Sequence, residues 1–481
     1  MNVSELKPHI VFKYFSEICA IPHGSGNTSA LARYCIDFAE AHGLEYCIDN
    51  AGNVIIFKEG TAGYENSPTV ILQGHLDMVC DKTDDCPLDM EKDGLTLCTD
   101  GEYIWADGTT LGGDDGIALA YMLTILSSDN IPHPPLEALF TSDEEIGMIG
   151  ANKLDVSRLK GKRLINIDSE EEGVLIASCA GGVRVKCEIP IKYAECAQMS
   201  FCRISVGGLK GGHSGIDINK HRKNAIKLLG RLLEYVSRRC EINICSLSGG
   251  GKENSIAKSA EAEISFASDS KARFYEAVNA FITIAKNEFH HTEPDLSVTV
   301  TDIESRKLCT EPTSTKRIIF ALMQVPDGIQ TMSPDIPDMV QTSMNLGTVF
   351  TDENNLTMKY LIRSNAAAGK QKSVEKLVSF IEYLDGGLEF TSDYPAWEYR
   401  MFSPLRDIMV NTYRELYAQA PEVKSIHAGL ECGILASKIQ GVDMISFGPD
   451  LENVHTPQER MNAESAERCW NYLVKVLEKL K

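Results

Sequence analysis

The pattern of hydrophobic and polar positions changes twice along the chain. Up to about residue 180, short apolar runs typical of buried strands alternate with apolar helical stretches such as residues 116–126. The runs cover residues 53–57, 69–72, 136–140 and 164–167. Strands that alternate with helices in this way predict a mostly parallel sheet packed between helices on both faces.

A different pattern occupies residues 182–394. Apolar and polar positions alternate with period 2 in strand-like segments, and amphipathic helices separate these segments. The predicted strands are residues 183–189, 201–206, 262–266, 296–300 and 356–362, and the predicted helices are residues 224–236, 273–289, 314–325 and 374–384. This series predicts an α+β domain with helices on one face of its sheet, and the four helices would allow two similar halves.

The first pattern returns after residue 395. A helix at residues 405–418, a buried strand at 442–447 and a closing helix at 464–480 follow. We therefore predict an α/β fold in which residues 1–181 and 395–481 form one discontinuous domain. Residues 182–394 would be an α+β domain inserted into it, since insertions are tolerated where the host chain is exposed.

The composition narrows the classes of function. The 481 residues include 47 Lys and Arg against 68 Asp and Glu, so the formal net charge is −21. A surface of this charge repels phosphate backbones and anionic lipid, which argues against nucleic-acid binding and against docking on a membrane. No apolar stretch of about 18 residues occurs, and the N-terminal residues predict an amphipathic helix rather than a signal peptide.

The cysteines point to a reducing compartment. All 15 are scattered, they form no C-x-x-C pair, and several lie in apolar runs, as Cys35, Cys179 and Cys202 do. We expect them to be reduced thiols in the core of a cytoplasmic protein.

Acidic and imidazole side chains follow the predicted strands of the discontinuous domain. In open α/β sheets the binding site lies beyond the carboxyl ends of the strands, so these side chains would collect at one edge. Asp114 and Asp115 stand directly before a predicted helix. The residues that follow strands are His75, Asp77, Glu144, Glu145, Asp168 and His455.

This mixture of donors suits divalent transition metals. Imidazole and carboxylate ligands fit zinc, manganese and cobalt. One ion needs three or four protein ligands, and the sequence offers more, including an aspartate able to bridge, so we predict two ions. Paired ions about 3.5–4 Å apart clamp a hydrolytic water and its target oxygen, and a general base is then needed to take the proton.

Seven motifs resemble metallopeptidase family M20, in particular its branch of non-specific and Xaa-His dipeptidases. They are GHLDMV, LGGDDG, TSDEEIGMIGA, INIDSEE, GGHSG, HAGLECGI and VHTPQER, and they run through nearly the whole chain. The resemblance implies that the discontinuous domain is a zinc-peptidase-like catalytic domain with two metal ions and that the inserted domain is a lid. It also implies a cytoplasmic homodimer, joined through the lid, that hydrolyses dipeptides. Zinc is the expected ion, with Co²⁺ or Mn²⁺ as alternatives.

The resemblance assigns a role to each matching position of the catalytic domain. Asp114 would bridge the two ions, and Glu144 would be the general base. Asp77 would support His75, as the carboxylate behind a ligating imidazole commonly does. The remaining ligands would be His75 and Asp168 on one ion, and Glu145 and His455 on the other.

One position departs from the family pattern. Members of the family more often have Asn after the bridging aspartate, whereas this chain has Asp115. The additional carboxylate belongs either at the N-terminus of the following helix or behind the ligands.

In the lid, the same resemblance assigns substrate contacts. His213 in GGHSG resembles the histidine that polarises the scissile carbonyl. Asn254 and Arg363 resemble the residues that hold the substrate carboxylate, a task that suits the planar fork of arginine. Gly429 resembles a backbone contact near the substrate. A lid that grips a free C-terminus close to the metals leaves room only for very short peptides, which favours dipeptides.

Other functions stay open. Related family members remove acyl groups from N-acyl amino acids or act on tripeptides, and the same metal site would serve these reactions. A non-catalytic binding protein on the same fold is the alternative from another class. Loss of a ligand or of the base would favour it, but the predicted ligands and Glu144 are all present.

Overall fold

The computed structural model describes residues 2–196 and 199–481, and the chain divides into two compact units. The host unit comprises Met1–Cys179, Tyr399–Ser425 and Leu430–Lys481, and the inserted unit comprises Ala180–Glu398 and Ile426–Gly429. The second segment of the inserted unit lies outside the predicted range 182–394. It belongs there because the backbone N–H of Ala180 donates to the carbonyl oxygens of Ile426 and Ala428.

An open mixed sheet forms the centre of the host unit. Its strand order is β1-β2-β6-β3-β7-β23-β8-β22, and the inner strands β6, β3, β7 and β23 run parallel. Strands are numbered in chain order; those of the host unit are Glu45–Ile48 (β1), Val54–Lys58 (β2), Val70–His75 (β3), Leu97–Thr99 (β4), Tyr103–Ala106 (β5), Leu136–Thr141 (β6), Arg163–Asn166 (β7), Val174–Cys179 (β8), Glu422–Ile426 (β22), Asp443–Ser446 (β23), Leu451–Glu452 (β24) and Arg460–Asn462 (β25). This arrangement confirms the predicted α/β class.

Helices of the host unit pack their apolar residues with those of the sheet into one core, to which α1, α2, α3, α9 and α11 contribute. The helices are His9–Cys19 (α1), Ser29–Ala41 (α2), Gly113–Ser127 (α3), Ile149–Lys153 (α4), Pro404–Tyr417 (α9), Glu431–Lys438 (α10) and Ala463–Lys479 (α11). Helix α3 is apolar around its circumference and buried over nearly all its length. Such a helix is held from every side, which fixes the position of the acidic residues at its N-terminus.

The inserted unit is built on an antiparallel sheet with the order β16-β11-β15-β13-β19-β20-β9-β21. Its strands are Gly181–Pro190 (β9), Tyr193–Glu195 (β10), Met199–Gly207 (β11), Gly212–His213 (β12), Ile242–Gly250 (β13), Ser255–Ile256 (β14), Ala260–Ala267 (β15), Ser297–Asp302 (β16), Leu308–Thr310 (β17), Gly328–Met332 (β18), Val340–Thr351 (β19), Asn355–Ser364 (β20) and Gly387–Tyr394 (β21). Its helices are Ala225–Ser237 (α5), Lys271–Phe289 (α6), Pro312–Gln324 (α7) and Ala367–Tyr383 (α8).

Two βαββαβ halves make up this sheet, and one is nested in the other. The first half runs β11-α5-β13-β15-α6-β16, and the second runs β9-α7-β19-β20-α8-β21. In both, the first strand lies between the third and the fourth, and the third pairs with the second. The halves meet where β13 pairs antiparallel with β19. The whole first half is therefore inserted between β9 and α7 of the second.

The cysteines differ from the expectation in one place. Cys245 on β13 and Cys309 on β17 form a disulfide, so the prediction that every thiol is reduced is wrong for this pair. The two residues are 64 positions apart in sequence, and no spacing rule connects them. The other cysteines of residues 2–196 and 199–481 are free thiols. Within the same residues, none of the helices has the length and apolar character needed to cross a membrane.

Candidate active site

Parallel strands of the host sheet bring the first predicted ligands to one edge. Strand β3 ends at His75, directly opposite Thr141 at the end of β6. Strand β7, on the other side of β3, ends two residues before Asp168. Glu144 and Glu145 lie in the turn that follows β6. Because neighbouring parallel strands share one direction, these residues meet at the carboxyl edge of the sheet.

Glycine at position 74 allows α3 to begin against β3. A Cβ atom on Gly74 would lie 2.5 Å from Oδ2 of Asp115 and 2.7 Å from the Cβ of Ala118. The Asp115 carboxylate takes this space and accepts a hydrogen bond from the backbone N–H of His75 at 3.0 Å. Asp115 is 2% exposed. It therefore braces the strand end that carries His75.

The carboxylate of Asp114 contacts two different imidazoles. Its Oδ1 atom lies 3.0 Å from Nε2 of His75, and its Oδ2 atom lies 3.2 Å from Nε2 of His455. The same nitrogen of His455 lies 2.8 Å from Oε1 of Glu145. Nε2 of His75 lies 3.8 Å from Oδ1 of Asp168. Asp114 thus stands between a His75–Asp168 pair and a His455–Glu145 pair.

These spacings fit a pair of divalent ions. Metal–ligand bonds of about 2.0–2.1 Å in a tetrahedron separate neighbouring ligand atoms by about 3.3 Å. The nitrogen–oxygen distances within the cluster run from 2.8 to 3.8 Å. Two overlapping groups have ligand atoms within 4.8 Å of one another; they are His75, Asp114 and Glu145, and His75, Asp115 and Asp168.

The electrostatics of the cluster call for added positive charge. Hydrogen bonds to Asp114 and Glu145 raise the pKa of His455 to about 10. Burial lowers the pKa of His75, but its hydrogen bonds with Asp114 and Asp77 outweigh burial and raise it well above the usual value. Burial also raises the pKa of Asp168. Both imidazoles therefore bind protons tightly, as expected where acidic groups outnumber the cations available to them.

Asp77 joins the two strand ends of the site. The Nδ1 atom of His75 lies 2.9 Å from the backbone oxygen of Asp77 and 3.5 Å from its Oδ1. The same carboxylate accepts hydrogen bonds from the backbone N–H of Glu144 at 2.8 Å, from that of Glu145 at 3.2 Å and from the hydroxyl of Ser25 at 2.8 Å. It orients the imidazole of His75, a predicted ligand, and holds the turn with the predicted base.

Glu144 has the protonation properties of a general base. Burial raises its pKa to about 8, and the nearby carboxylates of Glu431, Glu145 and Asp114 act in the same direction. A carboxylate of raised pKa accepts a proton more readily near neutral pH than an ordinary one.

A buried polar layer lies under the site, and the sequence analysis missed it. Glu431 accepts hydrogen bonds from Gln73 Nε2 at 2.7 Å and from the Thr141 hydroxyl at 2.6 Å. Asn166 Nδ2 donates to Gln73 Oε1 at 2.7 Å. All four side chains are fully buried. Glu431 belongs to the motif HAGLECGI, which was the available signal, but its partners lie about 300 residues away in sequence.

In the inserted unit, hydrogen bonds set the tautomer of His213. The backbone N–H groups of Gly215 and Ile216 donate to its Nδ1 at 3.3 and 3.2 Å. Burial and the charge of Arg363 lower its pKa, so the ring is neutral and its proton is on Nε2. The Nε2 atom lies 3.5 Å from Nη2 of Arg363, which is also a hydrogen-bond donor. Two donors that close together require an acceptor from elsewhere.

Arg363 is a buried guanidinium with unused hydrogen-bonding capacity. It is 5% exposed, and its Nη1 donates to the Tyr394 hydroxyl at 3.0 Å. Within residues 2–196 and 199–481 its Nε has no hydrogen-bond partner. A buried donor without a partner is costly, which favours an anionic ligand at this place.

The other two predicted substrate residues lie near this pair. The backbone oxygen of Asn254 accepts from the N–H of Ser214, the residue after His213, at 2.9 Å. A Cβ atom on Gly429 would lie 2.8 Å from the ring of Tyr394, so only glycine accommodates the ring that contacts Arg363. The structure thus brings the four residues into one region of the inserted unit.

The chain belongs to peptidase family M20/M25/M40, whose pattern matches residues 71–479. The fold and the cluster of imidazole and carboxylate ligands are consistent with this family of metal-dependent hydrolases.

Within this family, the chain is similar to individual dipeptidases. The chain is 36% identical over 480 residues to the cytosol non-specific dipeptidase of Escherichia coli K12, covering 100% of this chain and 99% of that protein. Its structure is similar to that of aminoacylhistidine dipeptidase from Vibrio alginolyticus, with a TM-score of 0.95, 35% identity and coverage of 100% and 98% of the two chains. Human carnosine dipeptidase 1 shares the fold at 11% identity, with a TM-score of 0.52 and coverage of 98% and 96%.

Proposed function

We propose that this protein is a metal-dependent dipeptidase of broad specificity that also accepts Xaa-His dipeptides. The full-length similarity to a cytosol non-specific dipeptidase and to an aminoacylhistidine dipeptidase supports the substrate class. The observation that carries the proposal is the position of Asp114, with one carboxylate oxygen on each of two imidazoles. This is the arrangement that a bridging ligand between two ions requires.

Two divalent ions occupy the cluster in this proposal. His75 and Asp168 would hold one, Glu145 and His455 would hold the other, and Asp114 would contribute to both. When bound, the ions supply Lewis acidity that activates water and stabilises negative charge. Zinc suits nitrogen and carboxylate ligands at these spacings, and Co²⁺ and Mn²⁺ are the alternatives.

Glu144 carries out the proton transfer of the reaction. It accepts one from the attacking water and donates it to the amine that leaves, a role that its raised pKa supports. Asp77 holds the backbone of Glu144 while it orients His75. General base catalysis of this kind contributes about 10²–10⁴-fold to the rate.

The inserted unit acts as the lid that recognises the substrate. In this lid, the Nε2–H group of His213 donates a hydrogen bond to the oxygen of the scissile carbonyl, where negative charge develops. Arg363 binds the C-terminal carboxylate, and its unpartnered Nε supports this role. Asn254 and the backbone at Gly429 complete the contacts. Recognition of a free carboxylate next to the scissile bond restricts the substrate to dipeptides.

A substrate panel tests the proposal. Purified protein is assayed on dipeptides, N-acetyl amino acids and tripeptides, before and after chelation and after addition of Zn²⁺, Mn²⁺ or Co²⁺. Dipeptide hydrolysis that is lost with chelator and restored by a metal is expected. A preference for N-acetyl amino acids or tripeptides would favour the deacylase or tripeptidase alternative, and no hydrolysis under any condition would favour a binding protein.

We also propose that the protein is a cytoplasmic homodimer joined through the lid. Exposed apolar side chains on the inserted unit support such an interface; Tyr383 at the end of α8 is 80% exposed and Phe390 on β21 is 46% exposed. Light scattering after gel filtration should give twice the chain mass of 53.0 kDa. Changing both residues to serine should give the single-chain mass, and a wild-type protein that already has this mass would contradict the dimer.

A further inference from the structure

Glu459 is a buried carboxylate that the proposed mechanism does not use. It is 3% exposed, and its Oε2 accepts hydrogen bonds from the backbone N–H of Leu111 at 2.8 Å and of Gly112 at 3.2 Å. Its Oε1 accepts from the N–H of Gly113 at 2.9 Å. These are three successive donors at the N-terminus of α3, where the helix dipole favours a negative charge.

The two segments that Glu459 connects each carry a metal ligand. Gly113 directly precedes Asp114, the bridging residue. Glu459 itself follows His455 by four residues, and its backbone N–H donates to the carbonyl of Thr456 at 3.0 Å within the same loop. One side chain therefore ties the segment of Asp114 to the segment of His455, although the connected residues are 346 positions apart in sequence.

The segment before Asp114 is packed closely on both sides. A Cβ atom on Gly112 would lie 2.8 Å from the sulfur of Met78, and one on Gly113 would lie 3.3 Å from Oε1 of Glu459. Both positions are therefore tight for any side chain while the carboxylate is in place. Without its three hydrogen bonds, nothing else among the described side chains is shown to accept from these N–H groups.

We infer that Glu459 is a positioning residue for the ion shared by Asp114 and His455. The inference rests on the proposed two-metal site. Glu459 makes no described hydrogen bond with either imidazole. It sets the distance between Asp114 and His455 by holding the backbone segments that carry them. Two of the three ligands on the His455 side, Asp114 and His455, lie in the segments that Glu459 ties together. On the His75 side only Asp114 does, and the other ligands, His75 and Asp168, follow different strands.

Glu137 provides a matched control in the same unit. It is 2% exposed and accepts backbone hydrogen bonds from Lys160 at 2.8 Å and Gly161 at 3.0 Å. It lies on β6, four residues before the end of that strand, and connects no metal ligand. Replacing either carboxylate by Gln swaps an accepting oxygen for a donating amide, so the general cost to stability is comparable.

The experiment measures metal binding directly. Wild type, Glu459→Gln, Glu459→Asp and Glu137→Gln are stripped with chelator, checked for folding by circular dichroism, and titrated with Co²⁺. The number of ions bound and the visible absorption are recorded. We expect wild type and Glu137→Gln to bind two ions. In Glu459→Gln one ion stays and the dissociation constant of the other rises about 10–100-fold, the range found for residues that orient ligands. Glu459→Asp, which keeps the charge, falls between them.

The outcomes separate this inference from the proposed function. Two ions bound with wild-type affinity by folded Glu459→Gln would overturn the inference alone, as would an equal weakening in Glu137→Gln. If Glu459→Gln does not fold, Glu459→Asp decides in the same way. A wild-type protein that binds fewer than two ions would overturn the two-metal proposal itself. Recovery of Glu459→Gln activity at high Co²⁺ concentration would further support positioning.

Discussion

The histidines of the two predicted binding clusters, one in each unit, have pKa values shifted in opposite directions. In the host unit, hydrogen bonds to carboxylates raise the pKa of His455 to about 10. In the inserted unit, burial and the charge of Arg363 lower the pKa of His427 to about 3, and they lower that of His213 as well. An imidazole of the host cluster is thus surrounded by negative charge, whereas those of the cluster in the inserted unit are buried beside positive charge.

The comparison shows what each unit lacks. The host cluster collects carboxylates and needs positive charge beyond that of its two imidazoles. The cluster of the inserted unit has a buried guanidinium and neutral imidazoles. A nearby acid, Asp217, accepts the backbone N–H of His213 and pairs with Lys220 and Arg222. This cluster needs an anion. Under the proposed function, metal ions would supply the first deficit and a substrate with a free carboxylate would supply the second.

The largest effect should come from the proton carrier of the host cluster. Glu144→Ala should keep both ions, because Glu144 is not a ligand, and should lower kcat for dipeptides by about 10²–10⁴-fold. Elemental analysis and steady-state kinetics on the same preparation check both statements. Normal turnover by this variant would refute the role of Glu144, and loss of an ion would make it a ligand.

The anion deficit of the inserted unit can be tested at Arg363. Arg363→Ala should lower kcat/KM for dipeptides, mainly by raising KM. The loss of stabilisation should equal the value of a hydrogen bond to a charged group, about 1.5–3 kcal/mol. Dipeptide amides, which lack the carboxylate, should be affected far less. Arg317→Ala, which removes an exposed partner of Asp385, is the control and should behave as wild type. Equal losses on acids and amides would contradict carboxylate binding.

The cation deficit of the host cluster can be sharpened at Asp77. Asp77→Asn keeps the shape but loses one of the oxygens that accept from the turn of Glu144, so metal affinity should fall about 10–100-fold. Competition with a chromogenic chelator measures this change. Asp49→Asn changes a carboxylate of similar local bonding in a turn outside the site and should leave affinity unchanged. Unchanged affinity in Asp77→Asn would show that the backbone of Asp77 alone orients His75.

The smallest expected effect is on the free energy of unfolding, at Glu263, whose charge is balanced by arginines of the same unit. Hydrogen bonds from Arg306, and then Arg203, lower the pKa of Glu263 to about 2, although burial opposes this shift. A carboxylate whose pKa is lowered in the folded state stabilises the fold at any pH above the ordinary pKa of the group. That contribution is lost as the pH falls from about 4.5 towards 2. Glu263→Gln should therefore cost roughly 0.5–1 kcal/mol at pH 7, with a smaller difference at pH 3.5.

Urea unfolding at the two pH values measures this difference. Glu261→Gln, on the same strand and 4.0 Å from Arg203, is the control, and it should show little change because its side chain is 47% exposed. A difference for Glu263→Gln that does not shrink on acidification would assign the effect to packing rather than to charge.

Much of the fold could be predicted because burial patterns are local. The predicted strand 136–140 is observed as Leu136–Thr141, and the predicted helix 464–480 as Ala463–Lys479. The analysis did not predict α2 or the short strands β4 and β5. The long strand β19 was also missed, because its inward positions mix Thr, Ser and Asn with apolar residues and lack a clear period.

Some residues of the candidate site could also be predicted from local sequence, and others could not. Residues that follow strand ends could be predicted, since strand direction alone brings them to one edge. The roles of Glu431 and Glu459 could not, because each depends on hydrogen bonds to residues hundreds of positions away. The disulfide of Cys245 and Cys309 was missed for the same reason: pairing depends on register, which local sequence does not encode.

The nested order of the inserted sheet has a consequence for synthesis on the ribosome. Strand β9 leaves the exit tunnel well before β20 and β21, its neighbours on either side, which begin at residues 355 and 387. During that interval the first βαββαβ half can fold, while β9 keeps two unpaired edges. Open strand edges invite association with other chains. A nascent polypeptide halted near residue 340 should therefore bind chaperones or aggregate more readily than one halted late enough for β20 and β21 to have left the tunnel.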